Sequence, residues 1–265
     1  MRVLRLVLLC EFLFAGGQAL ADTCTLVTEF ETGRVLKQEG NCKRRLNPAS
    51  TFKVPLSLMG YDAGIFTGED EPAWPYKPEY KTWNEAWKKT TTPRTWLKDS
   101  VLWYSLVLTG HLGQERFKRY VDAFDYGNHD VSGDKGKNNG LTRSWLSASS
   151  LQISPLEQID FLSKLLKREL PVSARAQDMT LTIMPAFPLP DGWTAYGKTG
   201  TGFQPTRDGA FDRNRQFGWF VGWAQKGERK ILFVRLIRDE KKEKGVASFR
   251  ARDGLLADLP AILEP

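Results

Sequence analysis

The sequence predicts an α/β (α+β) protein, in which a central antiparallel sheet formed by both termini is flanked by helices and carries a mostly helical insertion. Strand-like stretches occur near both ends of the chain, and helix-like stretches fill the middle. The last three strand-like stretches are closely spaced, which favours antiparallel neighbours. The 265 residues are 41% hydrophobic and 12% aromatic, enough to bury a core, so the composition argues against disorder.

The first 21 residues have the pattern of a signal peptide. Arg2 and Arg5 precede an apolar stretch at 6–14, and Ala19-Leu20-Ala21 is a small-x-small cleavage site. We expect cleavage after Ala21 and a periplasmic mature chain, although the same stretch could form a buried N-terminal helix. No later run reaches the ~18 apolar residues of a membrane-spanning helix.

The mature chain opens with a predicted hairpin, in which strands at 25–30 and 35–39 flank a turn at Thr32-Gly33. Cys24 and Cys42 stand at the two ends of this hairpin. The ends of a hairpin are close in space, so the two cysteines can form a disulfide in an oxidising compartment, or they can remain separate thiols.

The other elements follow in order along a single catalytic domain at 22–265. Helices are predicted at 101–108 and 115–124, and another begins at Ser154-Pro155-Leu156-Glu157, which has the spacing of a capping box. Aromatic and β-branched residues predict strands at 193–198, 217–223 and 231–237. Residues 22–60 and 190–265 should form the sheet region and 61–189 the mostly helical region, with a cleft between them.

The charge pattern excludes several classes of function. The formal net charge is +7, but the basic residues are dispersed or alternate with acidic ones, so no nucleic-acid patch is indicated. The two histidines lack the spacing of metal ligands. Three tryptophans in the middle of the chain, Trp83, Trp87 and Trp96, have the pattern of a binding stripe, but core or surface packing is the preferred interpretation.

The chemistry of the chain is predicted to start at Ser50 and Lys53. If a helix begins near Ser50, the two side chains share one face, with Cβ atoms about 5–6 Å apart. A serine hydroxyl is a weak nucleophile that needs a base within hydrogen-bond reach, and a lysine can be that base only when it is neutral. The spacing alone also fits a capping serine followed by a surface lysine.

Three further segments accompany this pair: Ser100-Val101-Leu102, Tyr126-Gly127-Asn128, and Lys198-Thr199-Gly200 at the expected end of a strand. The last overlaps a formal phosphate-loop match at 192–199, but prolines and glycines surround that match, where a phosphate loop needs a strand and then a helix. In this order the motifs resemble those of class D (oxacillinase-type) serine β-lactamases. The resemblance extends to 145–155 and 217–223, and it implies the fold shared by serine β-lactamases and penicillin-binding transpeptidases.

The resemblance also implies a role for each site residue. Ser50 would open the β-lactam ring, Lys53 would act as general base after conversion to a carbamate by CO2, and Ser100 and Lys198 would assist proton transfer. The remaining implied groups are the oxyanion hole (Ser50 and Thr201), the carbamate pocket (Phe52, Leu102 and Trp145) and the substrate-binding residues (Tyr126, Asn128, Thr199, Gly200 and Arg252, with Arg250 as the alternative to Arg252).

The expected partner is a small β-lactam, with no metal, nucleic acid or membrane, and the chain should be a monomer or weak homodimer. Leu102 stands where the family usually has valine, so the pocket wall stays apolar but carries a larger side chain at this position. Two related classes share the main motifs: β-lactam sensor domains, which are acylated and do not release the product, and penicillin-binding transpeptidases.

Overall fold

The structure is a computed structural model that describes residues 23–80, 82–208 and 210–264. The predicted signal peptide lies outside these residues. One six-stranded antiparallel sheet has the order β2-β1-β6-β5-β4-β3. Its strands are β1 (Cys24–Glu29), β2 (Val35–Gly40), β3 (Ala186–Pro188), β4 (Thr194–Pro205), β5 (Phe211–Lys226) and β6 (Arg229–Arg238). Because β1 pairs with β6, both ends of the chain build the sheet, and the predicted fold class is confirmed.

The helices lie mainly between β2 and β3 in the sequence, and a final helix follows β6. They are α1 (Lys53–Asp62), α2 (Pro93–Asp99), α3 (Leu102–Leu112), α4 (Gln114–Ala123), α5 (Gly140–Arg143), α6 (Pro155–Lys167), α7 (Ala174–Thr182) and α8 (Ala247–Leu263). Helix α6 begins at the predicted capping box: the Ser154 hydroxyl accepts from Glu157 N–H, and the Glu157 carboxylate accepts from Ser154 N–H at 2.8 Å. Among the described residues, no helix is both long and apolar enough to cross a membrane.

The sheet separates two hydrophobic clusters because successive side chains of a strand point to opposite faces. On β5, Phe217, Trp219 and Val221 join the larger cluster with the helical region, whereas Phe220 joins the smaller cluster covered by α8. The start of α8 crosses β5 so closely that a side chain at Gly218 would collide with the helix backbone. Residues placed on the face of the larger cluster are therefore the ones that can meet the helical region.

The two mature-chain cysteines form a disulfide. Cys24 begins β1, Cys42 follows β2, and their Cα atoms are 5.0 Å apart. The hairpin register explains this proximity, since Cys24 is opposite Gly40 on the partner strand. Of the two interpretations of the cysteine pair, the disulfide is confirmed.

Candidate active site

Ser50 lies in a short 3₁₀ turn that runs directly into α1. The residue before it, Ala49, has φ of 50°, a left-handed conformation that costs energy for any side chain except glycine and that is common at functional sites. Lys53 is the first residue of α1, and its Nζ donates a hydrogen bond to Ser50 Oγ at 3.2 Å. The structure thus brings together the nucleophile and the base that the sequence predicts.

The Lys53 side chain is enclosed within the protein, with 1% of its surface exposed. Burial, assisted by the nearby charge of Lys198, lowers the pKa of Lys53 well below its ordinary value. No carboxylate of the described residues forms an ion pair with Lys53 that could offset this effect. Burial therefore disfavours the charged form, and because the side chain is enclosed, the surface-lysine alternative is wrong.

Aromatic rings surround the start of α1. Phe52 stacks on Trp145 with ring centroids 5.4 Å apart, and Phe117 and Tyr126 contact Phe52 edge-on at 5.8 and 5.3 Å. The Trp145 indole Nε1 is buried, and no acceptor in the described part of the chain bonds to it. Phe117 was not predicted here, because it comes from α4 and its sequence pattern shows only that it faces the core.

Ser100 and Lys198 form a second hydroxyl–amine pair. Ser100 lies between α2 and α3 in a left-handed conformation with φ of 60°, and its Oγ accepts a hydrogen bond from Lys198 Nζ at 3.0 Å. Lys198 is also 1% exposed, and burial lowers its pKa to about 7.

Lys198-Thr199-Gly200 lies in the middle of β4, so the prediction that it ends a strand is wrong. The glycines suggested a strand end, but here they allow close approach instead. A Cβ at Gly200 would lie only 3.1 Å from the backbone nitrogen of Ser50. The strand therefore runs directly alongside the nucleophile.

The backbone N–H of Thr201 points to the outer edge of β4. In an antiparallel pair, residues alternate between bonding one neighbour and facing the other. Gly197 N–H donates outward to Pro185 and Phe203 N–H donates outward to the Ser147 hydroxyl, so Thr201, which has the same parity, also faces outward. Its hydroxyl, in contrast, donates to Ser248 of α8 at 2.7 Å.

A cavity of about 530 Å³ opens at Ser50. Its described lining includes the predicted Ser100, Leu102 and Thr201, together with residues that the sequence analysis missed or interpreted differently: Trp83, Trp87, Arg143, Leu146, Ser147, Phe203, Phe211 and Arg213. Trp96 is buried in the core, whereas Trp83 is 74% exposed and packs against Trp87 at the surface, so both residues fit the packing interpretation, and Trp83 also lines the cavity. Only a closed tertiary structure brings these separate segments to one cavity.

Tyr126 and Asn128 are not among the described residues that line the cavity, and the substrate-binding role that the resemblance implies for them stays a prediction. Tyr126 is fully buried and supports Phe52 from the side. Asn128 donates to the Ser150 carbonyl at 2.8 Å and accepts from Gln152 N–H at 2.9 Å. The amide group of Asn128 holds the segment that follows Trp145, and the ring of Tyr126 packs on Phe52, so both residues support the site indirectly.

The two arginines considered for carboxylate binding lie on α8, and neither lines the Ser50 cavity. The Arg252 guanidinium lies over the rings of Phe249 and Phe187, at 4.8 and 5.7 Å. Arg250 pairs with the buried carboxylate of Asp239 at 2.7 Å. The structure does not bring Arg252 into contact with Ser50, and its predicted role stays a prediction.

Comparisons with known proteins agree with this geometry. The family described as penicillin binding protein transpeptidase domain matches residues 23–255. Beta-lactamase OXA-9 from Klebsiella pneumoniae is 44% identical over 91% of this chain and 88% of its own length. Beta-lactamase OXA-1 from Escherichia coli is 37% identical, with 93% and 86% covered.

A solved structure of the OXA-427 class D β-lactamase is 48% identical and superposes with a TM-score of 0.84, covering 91% of this chain and 98% of that one. The similarity therefore extends over both the sheet and the helical region, and it includes the segments that carry Ser50, Ser100 and Lys198. On this evidence the chain belongs to the class D β-lactamases, within the penicillin-binding-protein transpeptidase domain family.

Proposed function

We propose that this protein hydrolyses β-lactam antibiotics through an acyl-enzyme on Ser50 and thereby gives antibiotic resistance. The observation that carries the proposal is the buried Lys53 amine 3.2 Å from Ser50 Oγ. Once this amine is converted to a carbamate, Lys53 would accept the serine proton as Oγ attacks the lactam carbonyl. The new C–O bond forms as the ring C–N bond breaks, which leaves an ester on Ser50 and a nitrogen that needs a proton.

The backbone N–H groups of Ser50 and Thr201 are suited to stabilise the negative oxygen that develops on the carbonyl. Both belong to segments in close contact, because β4 passes the Ser50 turn at Gly200. Donors held in this way need no rearrangement during the reaction, and each is typically worth about 2.7–4 kcal/mol of transition-state stabilisation.

Ser100 and Lys198 would deliver the proton to the leaving nitrogen. Ser100 lines the cavity, and its Oγ already accepts a hydrogen bond from Lys198. Because the pKa of Lys198 is about 7, its protonated form is available at neutral pH to replace the proton that Ser100 gives away.

The residues around Lys53 also fit a CO2-derived carbamate on that lysine. The addition of CO2 requires a neutral amine. The buried Nε1 of Trp145 has no acceptor among the described residues, and it could donate a hydrogen bond to the carbamate. Phe52, Leu102 and Trp145 would form the wall of this pocket. The carbamate would supply a negatively charged general base for acylation and for the hydrolysis of the ester.

Export to the periplasm, with cleavage after Ala21, is part of the same proposal. The Cys24–Cys42 disulfide supports it, because such bonds persist in oxidising compartments. Binding of the substrate carboxylate by Thr199, Gly200 and Arg252, and a monomeric or weakly dimeric state, remain predictions.

The test is mass spectrometry of the protein with benzylpenicillin, combined with turnover of a chromogenic cephalosporin. The wild type should gain one penicillin mass transiently and turn over many equivalents, whereas Ser50→Ala should gain none. Ser147→Ala, which alters another serine of the same cavity, should still be labelled. Turnover that stops after about one equivalent would instead indicate a sensor or a transpeptidase, and labelling of Ser50→Ala would place the nucleophile elsewhere.

A further inference from the structure

One side of the cavity, here called the outer wall, consists of Trp83, Trp87, Phe211 and Arg213. The two tryptophans meet edge-on with ring centroids 5.4 Å apart. Phe211, on β5, stacks on Phe203 of β4 at 5.6 Å. The outer wall therefore combines a loop of the helical region with the hairpin of β4 and β5, and it presents aromatic surface toward the space beside Ser50.

The charge of this cavity is unbalanced. Its described lining contains two arginines and no carboxylate. Arg143 is paired with Asp134 at 3.0 Å, so its charge is largely compensated. Arg213 has no carboxylate within ion-pair distance in the described part of the chain. Its neighbour Asp212 is paired with Arg215 at 2.8 Å.

The Arg213 guanidinium lies over the ring of Phe211, 5.3 Å from the centroid. This contact restricts the side chain and leaves its N–H donors free, because a guanidinium over a ring interacts with the face of the ring and not through hydrogen bonds. A guanidinium held in this way can bind a carboxylate through two parallel hydrogen bonds at a reduced entropic cost.

We infer that the outer wall favours β-lactams whose acyl side chain carries both an aromatic ring and a second carboxylate. The ring would pack against Trp83 and Trp87, and the carboxylate would pair with Arg213. This inference rests on the proposed function, since it concerns the substrate class of the same site. It is separate from binding of the carboxylate that all penicillins carry on the fused ring system.

Benzylpenicillin and carbenicillin test the inference directly, because they differ only by a carboxylate on the carbon between the aromatic ring and the amide. The measured quantity is the ratio of kcat/KM for carbenicillin to kcat/KM for benzylpenicillin. Arg213→Gln should lower this ratio about fivefold, which is the upper range for an exposed ion pair. Arg213→Lys should retain part of the preference, because it keeps the charge but loses the two-bond geometry.

Arg207→Gln is the matched control, since Arg207 is an exposed arginine of the same hairpin that does not line the cavity. It should leave the ratio unchanged. Raising the salt concentration should lower the ratio in the wild type but not in Arg213→Gln.

An equal loss on both substrates in Arg213→Gln would overturn the inference, because it would mean that Arg213 binds the carboxylate that they share. An unchanged ratio would also overturn it. A wild-type protein that turns over neither penicillin would contradict the proposed function itself, so the two failures are distinguishable.

Discussion

Replacing Trp145 by phenylalanine should weaken the uptake of CO2 by Lys53. The substitution removes the buried Nε1 donor but keeps an aromatic ring against Phe52, which stacks on Trp145 at 5.4 Å. A hydrogen bond to a charged acceptor contributes about 1.5–3 kcal/mol, and about 1.4 kcal/mol corresponds to a tenfold change in an equilibrium constant. The bicarbonate concentration that restores half of the activity should therefore rise by about 10- to 150-fold.

The assay is the recovery of β-lactam turnover after CO2 has been removed from the protein, measured over a series of bicarbonate concentrations. Trp219→Phe is the matched control, because the Trp219 indole is equally buried but already donates to the Asn47 carbonyl at 3.0 Å. Trp219→Phe leaves the buried Asn47 carbonyl without its donor, so it should reduce the free energy of unfolding by about 1–3 kcal/mol. It should not move the bicarbonate midpoint.

The stability of Trp145→Phe gives a second, independent result. In CO2-free buffer Trp145→Phe should lose less stability than Trp219→Phe, because both variants shrink a fully buried ring but only Trp219 gives up an existing hydrogen bond. If Trp145→Phe shows the wild-type bicarbonate midpoint, then the indole does not bind the carbamate and the reasoning is refuted.

Three further predictions concern stability and substrate binding. The free energy of unfolding should increase from about pH 7 to about pH 10. Lys198 has a pKa of about 7 in the folded protein and about 10.4 in the unfolded chain, so the unfolded chain binds more protons in this range. Urea titrations should show a shallower increase for Lys198→Met. Replacing both Cys24 and Cys42 by serine should cost about 3 kcal/mol of stability, as expected for a bridge spanning 18 positions, and a free-thiol count of two on the denatured, unreduced wild type would contradict the bridge. Arg252→Ala should raise KM for penicillins if Arg252 binds their carboxylate, whereas a larger rise in Arg250→Ala would assign that role to Arg250. The free energy of unfolding of Arg250→Ala must be measured as well, because this variant leaves Asp239 without its partner.

Features that depend on neighbours in the sequence were predictable from the sequence alone. Ser50 and Lys53 share a face because they are three positions apart, and the structure places their side chains in hydrogen-bond contact. The α6 capping box is equally local, and the terminal hairpin places Cys24 near Cys42. The antiparallel sheet followed from alternating, closely spaced strands. Apart from the pairing of β1 with β6, the determining interactions lie within one element or between elements adjacent in the sequence.

The environment of these residues was decided only by the tertiary structure. Whether Lys53 is charged depends on its burial and on the charge of Lys198, which belongs to a distant strand, and a spacing pattern contains no information about exposure. The same reason explains why the motifs did not show that Tyr126 is buried beside Phe52 or that Trp83 lines the cavity. Solvent exposure, and with it the pKa of a buried amine, is a property of the closed fold, because it is set by which distant segments exclude water from a given point.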